Sequence, residues 1–189
     1  YEFLAVTEHS KAVSVAKGLD EKALRKHVDR IRALNRNTKD LWLMTGIEVD
    51  ILKSGKLDLQ EDVLKELDWV VASVHSHFKM DQDAMTDRLV AAVESGVVHC
   101  LGHPTGRMLG SRDPVAFDVD RLLQACKDHR VCLEINAQPE RLDLPDTLCK
   151  RAKEAGVMLA LATDAHHRVE LDFMRYGLLV ARRGWLEKE

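Results

Sequence analysis

Short apolar runs alternate with stretches of helical periodicity along the chain, six times in succession. The runs are almost continuously hydrophobic, as is typical of strands buried on both faces of a parallel sheet. The pattern therefore predicts an α/β fold of six β-α units, with the helices outside the sheet. An open doubly wound sheet and a barrel both fit this alternation. The predicted strands are 3–6, 41–49, 69–74, 97–101, 131–135 and 157–162.

Helical periodicity predicts the elements between these strands. Asp20 is the expected N-cap of the first long helix, and Gly156 is the expected C-cap of a helix that begins at Pro145. The predicted helices are 19–37, a short one near 63–67, 83–95, 117–129, 145–156 and 170–183. No linker divides the 189 residues, so we expect one domain over 1–189. The sequence opens directly on a strand at Tyr1 without an initiator Met, and we expect it to be a piece of a longer polypeptide.

Charge and composition restrict the function. The formal net charge of −3 provides no overall basic field for nucleic acid, so metal ions or a few arginines would have to hold a phosphate-bearing substrate locally. No apolar run approaches the ~20 residues that a membrane-spanning helix needs. The four cysteines lack CxxC spacing and lie in apolar stretches, which predicts reduced core thiols and a cytoplasmic location.

Polar side chains follow every predicted strand where it ends. In parallel α/β folds the carboxyl ends of the strands meet at one face, and active sites form there. A polar residue at the end of one strand is explained by exposure of that strand end to solvent, but polar residues at the ends of six successive strands indicate a functional site. These residues are Glu8, His9, Glu48, Asp50, His75, His77, His103, Glu134, Asn136, Asp164, His166 and His167.

Imidazoles mixed with carboxylates, without thiolates, are suitable ligands for Zn²⁺, Mn²⁺ or Fe²⁺. Glu48 is able to bridge two cations, and two cations a few ångströms apart can activate water and stabilise a phosphoryl displacement. The sequence contains no GxSxG, Walker A or GxGxxG motif that would indicate other chemistry. A hydrolytic metal site is therefore the favoured interpretation.

Six stretches, in this order, resemble the successive motifs of the PHP (polymerase and histidinol phosphatase) superfamily: "AVTEHS", "GIEVDI", "VASVHSHF", "GHPTGR", "EINAQPERLDL" and "TDAHH". The chain is most similar to the PHP domain at the C-terminus of bacterial and archaeal family-X DNA polymerases. The resemblance covers nearly the whole chain and implies a distorted (β/α)7 barrel of the TIM-like kind. It also implies a cluster of two to three divalent ions, Mn²⁺ or Zn²⁺, at the strand ends.

Carried over motif by motif, the resemblance implies the metal ligands His9, Glu48, His75, His103, Asp164 and His166. It implies catalytic roles for His9 and His103 in proton transfer and for Arg107 at a substrate phosphate. The expected activity is metal-dependent phosphoesterase action on DNA 3′ ends, as a 3′-5′ exonuclease in DNA repair. The expected partners are DNA 3′ ends and a polymerase domain in the same polypeptide, with no membrane.

Two departures from the family pattern affect this expectation. The family's first strand, which ends in an HxH ligand pair, is absent here, and Glu8 stands where the family usually has Asp. We therefore expect this segment alone to hold fewer ions, to be poorly soluble and to be inactive. Glu8 is still able to orient His9 if its longer side chain reaches the ring. His77 matches no ligand position, although residues i and i+2 of a strand share a face.

Two other functions remain open. The first is a free-standing PHP phosphatase that acts on a small phosphomonoester such as histidinol phosphate, and the length of chain before Tyr1 would distinguish it. The second is a non-catalytic structural PHP domain, which the absence of bound transition metal in the full protein would indicate.

Overall fold

The computed structural model describes residues 1–13 and 17–188, and within them strands and helices alternate as the sequence predicts. The strands are β1 Phe3–His9, β2 Trp42–Asp50, β3 Trp69–Ser73, β4 Cys100–Leu101, β5 Cys132–Asn136 and β6 Leu159–Ala162. The helices are α1 Glu21–Asn35, α2 Glu61–Leu64, α3 Gln82–Val93, α4 Val119–His129, α5 Asp146–Ala155 and α6 Met174–Arg183, and a 3-10 helix, Arg168–Phe173, leads directly into α6.

The six strands form one sheet in the order β1-β2-β3-β4-β5-β6, and every neighbouring pair is parallel. A doubly wound sheet reverses its strand order part-way, so this sequential order excludes that alternative and supports the barrel. In the described part of the chain β1 and β6 do not pair with each other. The rings of His9, at the end of β1, and His166, just beyond β6, nevertheless lie 5.8 Å apart. The sheet is therefore a curled half-barrel.

Strand register assigns the side chains to two faces. Glu48 of β2 lies beside Val71, which is in register with Cys100 and, one strand further, Cys132. Val71 and the two cysteines form a small apolar cluster, separate from the main core between sheet and helices. The concave face of the half-barrel therefore has an apolar part, formed by Val71 and the two cysteines, and a charged part at Glu48.

Most predicted boundaries agree with the structure within a few residues. Asp20 caps α1 by accepting a hydrogen bond from the backbone N–H of Ala23 at 2.7 Å, and Gly156 ends α5 in the left-handed conformation. The fourth strand is shorter than expected, because residues 97–98 are buried in the core without joining the strand ladder. None of the described helices is long and apolar enough to cross a membrane.

Arg88 of α3 is the largest fully buried side chain that the structure describes. Its guanidinium donates to the carbonyl oxygens of Leu52 at 3.0 Å and Ser76 at 2.9 Å, and also to that of Ile51. These carbonyls belong to the segments that follow β2 and β3. One buried cation therefore ties together two loops at the carboxyl end of the sheet.

Replacing Arg88 by Met keeps most of the side-chain volume and removes all donors. We expect Arg88→Met to lower the free energy of unfolding by about 3 kcal/mol, since buried carbonyl groups lose their partners. Arg121→Met is the control, because Arg121 is half exposed and pairs with Asp87 at the surface, and its loss is expected to change stability by less than about 0.5 kcal/mol. Equal urea midpoints for the two variants would contradict this role of Arg88.

Candidate metal centre

Glu48 is a buried carboxylate, 7% exposed, that is surrounded by three imidazoles. Its Oε1 lies 3.0 Å from Nε2 of His103 and 3.4 Å from Nε2 of His75, and its Oε2 lies 3.1 Å from Nδ1 of His9. Strand order explains the arrangement, because β1 and β3 flank β2 and His9 is in direct register with Glu48.

Three buried ring nitrogens at this cluster have no hydrogen-bond partner among the described residues: Nδ1 of His9, Nε2 of His75 and Nδ1 of His103. His9 Nδ1 and His75 Nε2 are close to the Glu48 carboxylate, but their orientation does not meet hydrogen-bond geometry. One ligand atom each from His9, Glu48 and His75 lie within 4.8 Å of one another. Unpartnered buried nitrogens beside a carboxylate are costly for a metal-free site and are suitable ligands for a divalent cation.

Asp50 fixes the orientation of His75. Its Oδ1 accepts a hydrogen bond from the backbone N–H of His75 at 3.2 Å and lies 2.9 Å from the Nδ1 atom of the same residue. With Nδ1 held by a carboxylate, Nε2 is the nitrogen that remains free on the side of Glu48. The backbone N–H of Asp50 in turn donates to Ser10 Oγ at 2.9 Å.

The charges of the cluster are strongly coupled. Burial acts to raise the pKa of Glu48, but the hydrogen bond from His103 and the nearby ring of His75 hold that pKa well below its usual range. Burial acts to lower the pKa of His75, yet the carboxylates of Asp50 and Glu48 raise it to about 9. Burial acts to lower the pKa of His103, but the hydrogen bond to Glu48 and the charge of that carboxylate together raise it. Burial lowers the pKa of His9.

A second group of polar residues borders this cluster. Glu134 accepts a hydrogen bond from the backbone N–H of His103 at 2.5 Å, and burial raises its pKa to about 7. Asn136 Nδ2 donates to Asp164 at 3.0 Å and to Glu134 at 3.3 Å, as expected for a residue that shapes the pocket by hydrogen bonds. His166 is exposed and places Nδ1 2.9 Å from the carbonyl oxygen of Asp164.

Two of these residues have left-handed backbone conformations, which non-glycine residues rarely adopt: His103 at φ 29° and Asp164 at φ 49°. Such strain is commonly found at functional sites. The residue before His103 is Gly102, where a Cβ atom would lie 2.3 Å from Ser73 Oγ. Glycine is therefore needed at this close approach to β3.

The structure brings the six residues predicted as metal ligands to the carboxyl end of the sheet. His9, His75 and His103 surround Glu48, while Asp164 and His166 lie at the border of this group. Their ligand roles, and the catalytic roles of His9 and His103, stay predictions.

Three sequence expectations have different outcomes. Arg107 donates to the carbonyl oxygens of Arg141, at 2.9 Å, and Leu142; its contact with a substrate phosphate stays a prediction. Glu8 is exposed on the strand face opposite His9, so it does not orient that ring. His77 is also exposed, because β3 ends at Ser73 and the loop turns at His77 with φ 56°.

Arg141 is a residue that sequence reasoning missed. Its Nη1 is buried without a partner among the described residues, and its Nε lies 3.6 Å from Asp164 Oδ2. The available signal was its position inside the motif "EINAQPERLDL". Residue spacing alone does not show where a loop arginine places its guanidinium.

Comparison with known proteins identifies relatives along the whole chain, although no family model matches it. The chain is 40% identical over 187 residues to the DNA polymerase/3′-5′ exonuclease PolX of Bacillus subtilis. The aligned segment covers 99% of this chain and 33% of that protein. It is 30% identical over 159 residues to a probable phosphatase of a Thermoanaerobacter species, covering 77% of this chain and 60% of the relative.

A solved structure has the same fold. Histidinol phosphate phosphatase from Lactococcus lactis, in complex with zinc, L-histidinol and phosphate, superimposes with a TM-score of 0.61 at 15% identity over 98% of this chain and 83% of that chain. The chain belongs to the PHP superfamily. This PHP chain spans about a third of the polymerase and about 60% of the phosphatase it matches.

The raised pKa of His75 predicts proton release when a metal binds to the PHP site. Near neutral pH the ring of His75, with a pKa of about 9, is protonated in the metal-free protein, whereas a ligand imidazole must be neutral. We expect Zn²⁺ binding to release about one proton or more, and the apparent affinity to rise with pH up to about 9. Calorimetry in buffers of different ionisation enthalpy measures this release.

Asp50→Asn provides the matched control, because it removes one of the two carboxylates that raise the pKa of His75. This variant should release fewer protons near neutral pH. A binding heat that does not depend on the buffer would contradict protonation of His75 in the metal-free site.

Proposed function

We propose that this PHP chain is a metal-dependent phosphoesterase domain that hydrolyses DNA phosphodiesters from 3′ ends. We further propose that residues 1–189 form one domain of a longer polypeptide that also carries a polymerase domain. The observation that carries the proposal is the carboxylate of Glu48 among three imidazoles with unpartnered nitrogens. This cluster lies in a chain that is 40% identical to a relative named DNA polymerase/3′-5′ exonuclease.

The residues present fit a divalent metal cluster. We assign His9, Glu48 and His75 to the first ion on the proximity of their ligand atoms. His103, Asp164 and His166 would complete a centre of two to three ions, Mn²⁺ or Zn²⁺, and the zinc complex of the Lactococcus lactis enzyme supports this on a shared fold. When bound, such ions stabilise negative charge on a phosphoryl group and make water more acidic.

The protein's own side chains would set charge and proton transfer. The pKa of Glu48 is held well below its usual range, so this carboxylate supplies negative charge between the imidazoles. Proton transfer would use a histidine ring that the metal ions leave free. His9, whose pKa is lowered by burial, would then be neutral and available to accept a proton, whereas His103, whose pKa is raised by Glu48, would be available to donate one.

A second candidate is hydrolysis of a small phosphomonoester. Curated relatives of this chain include probable phosphatases, and the structural neighbour is a histidinol phosphate phosphatase. The net charge of −3 gives no general attraction to DNA, which is compatible with either substrate.

The four cysteines are all described, buried and free, which supports the proposed cytoplasmic location.

Glu48→Gln tests the proposal because it removes the central charge and keeps the shape. In the intact polypeptide with Mn²⁺, we expect the wild type to shorten 5′-labelled single-stranded DNA from its 3′ end. Glu48→Gln, and likewise His103→Ala, should lower that rate by more than about 100-fold. Glu8→Gln is the matched control, since Glu8 is exposed on the other face of the neighbouring strand, and it should retain the wild-type rate.

The same preparations distinguish the other functions. Hydrolysis of histidinol phosphate or p-nitrophenyl phosphate with no shortening of DNA would replace the proposal by the phosphatase function. Absence of bound transition metal together with no hydrolysis of any substrate would indicate a structural domain. Full activity of Glu48→Gln on DNA would refute the assignment of the site.

A further inference from the structure

The loop that follows β6 carries two of the predicted metal ligands, Asp164 and His166. We call residues 164–167 the ligand loop. Residues 165–167 are exposed, so apolar packing does not hold this part of the loop in place. Asp164 has a left-handed backbone at φ 49°, which is unfavourable for a non-glycine residue. The position of both predicted ligands therefore depends on polar contacts.

Glu170, within the 3-10 helix, binds the backbone of the ligand loop. Its Oε2 accepts hydrogen bonds from the backbone N–H of His166 at 2.7 Å and from that of His167 at 3.3 Å. The backbone N–H of Glu170 in turn donates to the carbonyl oxygen of His167 at 2.9 Å. Two N–H groups and one carbonyl group of the loop are thus bonded to a single residue.

Gln138, in the loop after β5, also binds the ligand loop. Its Nε2 donates to the carbonyl oxygen of Asp164 at 2.8 Å and to Glu170 Oε2 at 3.4 Å. The backbone N–H of Gln138 donates to Oδ1 of Asn136 at 3.0 Å. Asn136 is fully buried in β5, and its Nδ2 donates to Asp164 Oδ2 at 3.0 Å. These bonds join the exposed loop to the buried sheet.

The ring of His166 has a defined orientation in this network. Its Nδ1 lies 2.9 Å from the carbonyl oxygen of Asp164, the same oxygen that Gln138 binds. A carbonyl oxygen only accepts hydrogen bonds, so in the neutral ring the proton is on Nδ1 and Nε2 keeps its lone pair. The ring lies 5.8 Å from that of His9. Nε2 of His166 is therefore the nitrogen that is available to a metal ion.

We propose that Gln138 and Glu170 are positioning residues that hold Asp164 and His166 ready for a metal ion. This inference rests on the proposed function and on the metal centre within it. Both residues act through the backbone of the ligand loop. A loop that is ordered before the ion binds loses less conformational freedom on binding, so the ion is bound more tightly.

The test measures Mn²⁺ binding to the intact polypeptide by calorimetry and compares Glu170→Ala and Gln138→Leu with the wild type. Each variant should weaken binding of the ion that Asp164 and His166 hold by about 10- to 100-fold, as is usual when a group that supports a metal ligand is lost. The ion assigned to His9, Glu48 and His75 should keep its affinity within about threefold, since it uses separate contacts.

Two controls separate this role from general stability. Glu170→Gln keeps an oxygen that accepts the backbone hydrogen bonds, so it should restore Mn²⁺ affinity to within about threefold of the wild type. Asp118→Ala removes the carboxylate that caps α4 by accepting a hydrogen bond from the backbone N–H of Arg121 at 3.1 Å. It should lower the Tm by a few degrees, as Glu170→Ala does, and leave Mn²⁺ binding unchanged.

Histidine ¹⁵N NMR on the wild type gives a second measurement that does not depend on a variant's folding. Addition of Zn²⁺ should shift the Nε2 resonance of His166 and leave the proton on Nδ1. Unchanged resonances of both nitrogens, or zinc on Nδ1, would overturn the inference.

The variants also distinguish this inference from the proposed function. If the wild type hydrolyses its substrate while Glu170→Ala and Gln138→Leu bind both ions normally, only this inference fails. If the wild type hydrolyses no substrate while both variants lose the ion of Asp164 and His166, the proposed function fails and the positioning role stands.

Discussion

The rest of the site depends on one interaction, the burial of the Glu48 carboxylate among imidazole nitrogens. An isolated ionised carboxylate in such a place is strongly unfavourable, so positive charge must be supplied by protonated histidines or by cations. In the metal-free protein the ring of His75, whose pKa is raised to about 9, supplies it, and the pKa of His103 is raised as well. Protons and metal ions then compete for the same nitrogens, which links metal binding to pH.

The surrounding fold keeps these groups in position. The register of β1 with β2 places His9 beside Glu48, and Asp50 sets the ring orientation of His75. Arg88 donates hydrogen bonds to backbone carbonyl oxygens of the loops after β2 and β3, and so fixes both loops. None of these contacts is part of the main apolar core, yet each determines where a ring nitrogen lies. A site of this kind therefore needs polar support as well as hydrophobic packing.

Local patterns in the sequence were sufficient for the fold and for the location of most candidate site residues at the carboxyl end of the sheet. The alternation of apolar runs and helical periods predicted all six strands. Residues at the carboxyl ends of parallel strands lie on the same face of the sheet, whatever the conformation of the loops. The membership in the PHP superfamily that the motifs indicated is confirmed. Loop residues were harder to predict, because their direction depends on backbone turns and distant partners. His77 turns out to solvent, Arg107 binds carbonyl groups, and Arg141 went unnoticed.

Glu48 and its neighbouring imidazoles form the proposed metal centre. Crystals of the protein grown with Zn²⁺ and measured on both sides of the zinc absorption edge would show whether zinc binds there. We expect an anomalous peak about 2.0–2.2 Å from Nδ1 of His9, Nε2 of His75 and an oxygen of Glu48. Zinc bound elsewhere, with those nitrogens still without a partner, would contradict it.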